Sequence, residues 1–357
     1  MNTTKYNERN ILLVDAPTTC QHILENARNH IGPYCKSCTI CNGRACKNAI
    51  PGPGSKGNET VFIRNYQKWT EILVNMDTIH ENKTVDTSCK LFGQEFSLPV
   101  FAAPIGSLQL HYGDKYNDTE YDEIIVPSCV DAGIAAFVGD GPDASVMEGA
   151  AKVIKEHLGK GIPTIKPWNM ELIFKKLELV KKADPIAIAM DIDAAGLPFL
   201  KNQTPPAGSK TVEELRQIIE WAEKPFIVKG IMTAKAAKKA MDAGASAIVV
   251  SNHGGRVLDQ CPATAEVLSE IVETVGGKMK IFVDGGIRTG VDVLKALAMG
   301  ADGVLIGRPF VNMVYGGDSE GVRLFVDKLQ NELADTMAMC GAFTLEDINR
   351  HMIRMTF

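Results

Sequence analysis

Short apolar runs recur along this chain, and segments with helical periodicity lie between them. The runs occupy 98–104, 134–139, 162–166, 185–191, 225–229, 247–251, 280–284 and 303–307. Apart from polar residues at their ends they are mostly apolar rather than alternating, the pattern of strands buried on both faces of a parallel sheet. The intervening segments, 146–157, 170–182, 212–221, 234–243, 263–275 and 291–299, gather their apolar residues on one helical face. Eight strand and helix repeats predict an α/β chain folded as a (β/α)8 TIM barrel. A doubly wound open sheet is the alternative, and the count of eight favours closure. Ahead of the barrel, 11–31 reads as a helix capped by Asp15 or Thr18, with Ile11, Leu12, Cys20, Ile23, Leu24 and Ala27 on its apolar side. Cys35 to Cys46 and Pro51 to Gly57 then hold too much glycine and proline for a periodic element. The expected division is an N-terminal extension, 1–85, with its cysteine-rich segment at 35–46 packed on the barrel, and the barrel itself over 86–357.

Composition narrows the partners. The 357 residues are 45% hydrophobic, enough for one large core. The 38 lysines and arginines are dispersed among 43 acidic residues, leaving no basic footprint for nucleic acid or an anionic membrane. No apolar run approaches the roughly 20 residues that span a bilayer. The polar start Met1 to Lys5 lacks a signal-peptide core, so a cytosolic location is expected.

Strand ends carry the candidate chemistry. In such a barrel the C-terminal ends of the strands converge on one face. There the chain places Pro104, Ile105 and Gly106, then Gly139, Lys166, Asp191 and Lys229. Ser251 follows with His253 and Arg256, then Asp284, Gly285, Gly286 and Arg288, and finally Gly307 and Arg308. Each could be a cap or a turn residue; together they outline a ligand site. His253 and Arg256 set a proton acceptor and a carboxylate anchor over one cavity. A loop cap with a surface ion pair is the plainer reading, weakened by Gly254 and Gly255, which admit a ligand close to the backbone. Gly285, Gly286 and Arg288 before a helix, joined by Gly307 and Arg308, form an anion site where barrels hold phosphate. A tight turn that simply needs glycine is the alternative.

Nine cysteines are present, and Cys35, Cys38, Cys41 and Cys46 fall within twelve positions. Spacings of two, two and four residues let short loops turn four sulfurs toward an iron-sulfur cluster or zinc. Disulfide staples, disfavoured in a reducing cytosol, and free thiols packed in a loop are the alternatives. Cys20, Cys89, Cys129, Cys261 and Cys340 are scattered and read as small buried hydrophobes.

Lys229-Gly230, Ser251 to Asp259, Asp284 to Gly290 and Gly307-Arg308-Pro309 together resemble the FMN-dependent α-hydroxy acid oxidase and dehydrogenase family, which includes glycolate oxidase, lactate oxidase and flavocytochrome b2. The similarity is strong over about 225–312 and weaker over about 60–200. It implies that FMN binds with Pro104, Ile105 and Gly106 against its ring, while Gly139, Lys166 and Ser251 touch the cofactor. Lys229 would face the N1/O2 edge, and Asp284, Gly285, Gly286, Arg288, Gly307 and Arg308 would hold the ribityl phosphate. His253 would take a proton from the substrate while the flavin accepts the electron pair, Asp191 would orient His253, and Arg256 would bind the substrate carboxylate. A homo-oligomer, tetramer or octamer, is implied as well.

Departures from the family pattern fall on the substrate clamp. The family's Gln-Leu-Tyr after the third strand corresponds to Lys166, Pro167 and Trp168, which puts Trp168 at a substrate-contacting position. Its second substrate arginine has no counterpart in Asp191 to Gly196, and its N-terminal tyrosine is replaced by the cysteine-rich segment. Either Lys166, Trp168 or a residue of the 193–210 loop substitutes, or the substrate differs; that loop is long enough to serve as a lid. Three functions follow. The first is oxidation of a lactate-like or glycolate-like L-2-hydroxy acid to the 2-keto acid. The second is an isomerase or lyase on the same scaffold, and the third a flavin-binding electron-transfer protein or redox sensor. An iron-sulfur cluster at the cysteines would favour a protein electron acceptor over oxygen.

Overall fold

Runs that are apolar on both faces must lie between two apolar layers, and all eight do. In the computed structural model, which describes residues 18–46, 50–204 and 206–357, they form the strands Val100–Ala102, Ala135–Val138, Gly161–Ile165, Ile188–Asp191, Phe226–Ile231, Ala247–Val250, Lys280–Val283 and Gly303–Ile306. The strands pair in parallel in chain order, and the eighth returns to the first, closing the barrel. Inward side chains, among them Phe101, Phe137, Ile227, Val249, Phe282 and Leu305, form one core, and a second lies between strands and helices. Each inner ring withdraws from water at a gain of roughly 1.5–3 kcal/mol. A hairpin, Cys89–Leu91 with Gln94–Phe96, precedes the first strand and packs Phe92 and Phe96 against these rings, stopping the end at which the strands begin.

The six helices expected from periodicity appear within two residues of their expected bounds at either end. Among the described residues five more were not marked by the pattern: the short Leu108–Tyr112 and Pro198–Lys201, and the longer Thr60–Thr70, Asp118–Asp131 and Arg308–Met339, the last of which breaks at Gly317 and Asp318. The N-terminal helix is Cys20–Ala27, capped by Thr19 rather than by Asp15 or Thr18. The expected helix over 11–31 is therefore shorter among the described residues, and 11–17 lie outside them.

The extension is integral to the barrel mouth. Asn65 and Asn252 exchange two side-chain hydrogen bonds of 2.8 and 2.9 Å, and the Trp69 indole donates to the Gly285 carbonyl at 2.8 Å. Strand Ile72–Val74 pairs antiparallel with Ile353–Met355, tying the start of the fold to its end. Among the described residues no helix is long and apolar enough to cross a membrane.

Candidate active site

The strand ends open into one cavity, about 1000 Å³ of empty space when the open solvent at its mouth is counted in. Pro104, Ile105 and Gly106 line it, with Lys166, Lys229, His253 and Arg256. Asp284, Gly285, Gly286, Arg288, Gly307 and Arg308 complete the wall expected from the sequence. Gly139 lies behind it: a Cβ there would stand 2.4 Å from the Ile105 carbonyl oxygen, so glycine lets the 104–106 turn lie flat. Ser251 is fully buried, and its hydroxyl accepts from the Lys229 ammonium at 3.2 Å and the His253 N–H at 3.1 Å.

Two expected assignments need correction. The carboxylate that meets His253 is Asp193, with 3.0 Å between Oδ1 and Nδ1, and not Asp191. Asp191 ends the fourth strand and is taken by Lys166 at 2.5 Å, while the 3-10 turn Ile192–Gly196 swings Asp193 toward the histidine. Gly230 makes room for this, since a Cβ there, at φ 102°, would meet Asp193 Cγ at 2.4 Å. Trp168, expected at the substrate, is 1% exposed and turned into the protein, its indole N–H donating to Asp140 at 2.8 Å.

Protonation follows from burial and neighbouring charge. Burial, then the Lys229 and Lys166 ammoniums, hold His253 well below the usual histidine value of 6.5, so the ring is neutral at neutral pH. Burial also raises the Asp193 carboxyl, against the pull of Lys229 and Lys166. A neutral ring that donates Nδ1–H to Asp193 keeps its Nε2 lone pair as the proton acceptor. Burial works against charge on Lys229, but Asp284, Asp193 and Asp191 outweigh it and its pKa ends above the ordinary value.

The same cavity carries three arginines that, among the described residues, lack a neutralising carboxylate. Arg288 donates to the Cys41 carbonyl at 2.8 Å, and Arg308 to the Pro53 carbonyl at 2.8 Å and the Gly254 carbonyl at 3.1 Å. The Arg308 guanidinium also rests 3.7 Å from the Phe62 ring centre. Arg256 donates to the carbonyls of Gly52 at 2.6 Å and Gly54 at 3.2 Å. Among the described residues none of these three arginines pairs with a carboxylate. Carbonyl dipoles thus aim the cations without cancelling them. Gly307 starts the helix Arg308–Met339 with no side-chain cap; Pro309 has no N–H and the Phe310 N–H donates to the Gly307 carbonyl at 2.9 Å, so the helix start offers an anion its dipole and the Arg308 side chain more than a row of amides. The buried Oδ1 of Asp284 has no donor among the described residues, as suits a carboxylate awaiting a ligand hydroxyl.

Cys35, Cys38, Cys41 and Cys46 are all free thiols. Burial pushes Cys35 up to about 12, with Cys41, Cys46 and Cys38 adding to the effect. Among the described residues the one trio of His, Cys, Asp or Glu donors within 4.8 Å of one another is Asp191, Asp193 and His253, so the cysteine set does not come that close. The segment meets the cavity at Cys41, whose carbonyl and Sγ accept from Arg288 at 2.8 and 3.8 Å.

Sequence reasoning did not find His111, which lines the cavity from the short helix Leu108–Tyr112, or Asp193. A second acid two positions after Asp191, facing Gly230, was the available signal for Asp193. Within the 193–210 loop, Pro198 opens the short helix Pro198–Lys201, and Leu197, Phe199 and Leu200 roof the cavity.

Comparison with known proteins agrees with this geometry. The sequence profile of a family described as FMN-dependent dehydrogenase matches residues 53–204 and 198–355. The chain is 30% identical over 340 residues to a peroxisomal (S)-2-hydroxyacid oxidase of Arabidopsis thaliana, covering 84% of this chain and 90% of that protein. It is 46% identical over 341 residues to a 2-hydroxyacid oxidase of Dictyostelium discoideum, covering 83% of each. A mandelate oxidase variant solved with (S)-mandelic acid superposes with a TM-score of 0.77 at 25% identity, over 95% of this chain and 98% of that one.

Proposed function

The chain belongs to the FMN-dependent dehydrogenase family, and from that premise we propose that it oxidises an L-2-hydroxy acid to the 2-keto acid, with His253 as base and Arg256 as carboxylate anchor. The observation that carries the reading is the pairing, in one cavity, of a neutral His253 backed by Asp193 with an arginine that lacks a carboxylate partner among the described residues. The donor set fits the cofactor. Arg288, Arg308 and the helix start at Gly307 would hold its phosphate, the orphaned Asp284 oxygen would accept a ribityl hydroxyl, and Lys229 and the 104–106 turn would border the ring. FMN, when bound, supplies the acceptor for the electron pair removed from the substrate.

The chain's own groups do the rest. Arg256 fixes the substrate carboxylate, which points the α-carbon and its hydroxyl at Nε2 of His253. His253 accepts one proton, and Asp193, already bonded to Nδ1, stabilises the imidazolium that results. In all the substrate loses two protons and two electrons; His253 would take one proton, and FMN, when bound, would supply the acceptor for the remainder. Lys166 neutralises Asp191 and keeps a second anion from competing for His253. Leu197, Phe199 and Leu200 keep water off the α-carbon.

Anaerobic L-lactate or glycolate, added to the yellow holoprotein, should bleach one flavin equivalent and release one equivalent of keto acid. His253→Ala should slow bleaching about 10²–10⁴-fold, the usual contribution of a general base. Unchanged bleaching in that variant removes His253 from the mechanism. Continued turnover with no electron acceptor points instead to the isomerase reading.

A further inference from the structure

The family clamp lacks two of its members here, and a histidine that no pattern in the sequence singled out stands beside the surviving arginine. His111 is 5% exposed, lies in the helix Leu108–Tyr112, and packs its ring 5.8 Å from that of Phe199. The backbone N–H of Gly52 donates to its Nδ1 at 2.9 Å. Burial, then the charges of Arg256 and Arg308, hold the ring neutral, with its pKa lowered to about 3. A neutral imidazole carries one proton, and since Nδ1 accepts from Gly52 that proton resides on Nε2. Nε2 lies 3.1 Å from Nη2 of Arg256. Guanidinium has no acceptor, so two N–H donors face each other across a gap in which neither satisfies the other.

Gly52 sets up this arrangement from both ends. Its N–H holds His111 and its carbonyl oxygen takes Nη1 of Arg256 at 2.6 Å, so one residue aligns the two side chains. Gly52 sits at φ 129°, a backbone region that favours glycine. His111 and Arg256 both line the cavity, as does His253. Moving the proton to Nδ1 would only transfer the conflict to the Gly52 amide; a shared external acceptor resolves it. A carboxylate supplies two acceptor oxygens at the spacing of adjacent donors.

Resting on the 2-hydroxy acid reading, we propose that His111 is the second carboxylate donor of the substrate clamp, its Nε2–H acting beside Arg256 Nη2–H in place of the missing tyrosine and arginine. It is a specificity-determining residue for the carboxylate, and His253 remains the base.

The test compares His111→Phe, which keeps the ring and loses the donor, with His111→Gln, whose amide N–H can reach the position of Nε2. Both are assayed as FMN-loaded holoproteins on L-lactate and on methyl L-lactate, and pyruvate binding is measured by calorimetry. His111→Phe should raise the lactate KM and the pyruvate Kd about 10–100-fold, the loss expected for a hydrogen bond to a charged group. The ester KM should move less than about threefold, since no anion is at stake, and His111→Gln should recover most of the lost affinity. Equal KM increases for acid and ester, or a fall in kcat with lactate KM and pyruvate Kd unchanged, would overturn the assignment and leave His111 a packing residue. Failure of the unsubstituted holoprotein to be reduced by any 2-hydroxy acid would instead defeat the functional reading itself, whereas normal reduction with an unaffected His111→Phe defeats this proposal alone.

Discussion

Asp193→Asn is the perturbation that separates the structure from the simpler reading of the strand end. The change preserves size and lets the amide oxygen accept Nδ1–H of His253 at the observed 3.0 Å, so geometry survives and only the charge is lost. Charge matters because His253 starts neutral and becomes an imidazolium as it takes the substrate proton. At an effective dielectric of 20, unit charges about 4 Å apart attract by about 4 kcal/mol, which is the ceiling on the effect. A charge-assisted hydrogen bond contributes nearer 1.5–3 kcal/mol net, equivalent to roughly 10–100-fold in rate. Stopped-flow measurement of anaerobic flavin reduction at saturating and sub-saturating lactate should therefore show kcat/KM reduced by that factor. Without its anionic partner the imidazolium is harder to form, so the acid limb of the pH profile should move further down. Asp191→Asn, which frees Lys166 but leaves the histidine's partner in place, should reduce kcat/KM less. A larger loss in Asp191→Asn than in Asp193→Asn, or an Asp193→Asn rate within twofold of the parent, refutes the assignment.

Three further outcomes are expected. Trp168→Phe should leave the lactate KM unchanged within twofold, because the indole is turned away from the cavity, while loss of its bond to Asp140 lowers stability by about 1 kcal/mol in urea titrations. Arg308→Ala should weaken FMN binding about 10–100-fold in fluorescence titrations of the apoprotein by removing one charged donor to the phosphate. Acid should destabilise the fold through His111. Its folded pKa of about 3 lies below the ordinary histidine value of 6.5, so the unfolded chain binds the proton first and stability present above pH 6.5 is lost on the way down. At pH 5 this amounts to about 2 kcal/mol relative to pH 7, read as a drop in urea midpoint that His111→Phe should make smaller, the part due to His253 remaining.

What the sequence made legible was whatever depends on near neighbours. Runs such as Ala247–Val250 are apolar on every residue, and only a strand between two layers uses such a run, so the barrel could be counted off. Gly285, Gly286 and Arg288 beside a helix start announced an anion for the same local reason. Helix Thr60–Thr70 was hidden because Glu59, its N-cap, takes a left-handed φ of 60° and makes no side-chain cap bond, the signal by which starts are found. Asp191 and Asp193 are both acids at one strand end, and choosing between them required knowing that a 3-10 turn follows and that Gly230 leaves space on the neighbouring strand. His111 could not be read at all. Its role depends on Gly52, 59 positions away, and Arg256, 145 positions away, and no periodicity reports a meeting of that range.

The carbonyls of Cys41, Pro53 and Gly52 that steady Arg288, Arg308 and Arg256 come from the segment preceding the barrel, so the eight-stranded unit does not possess a finished pocket by itself. Docking of that segment and loading of the cofactor are thereby one linked equilibrium: a ligand that binds the docked state alone, present at 1,000 times its dissociation constant, holds the segment down by about 4 kcal/mol. Flavin supply and the seating of Cys41, Gly52 and Pro53 become a single variable for this protein, and losing either withdraws support from the other.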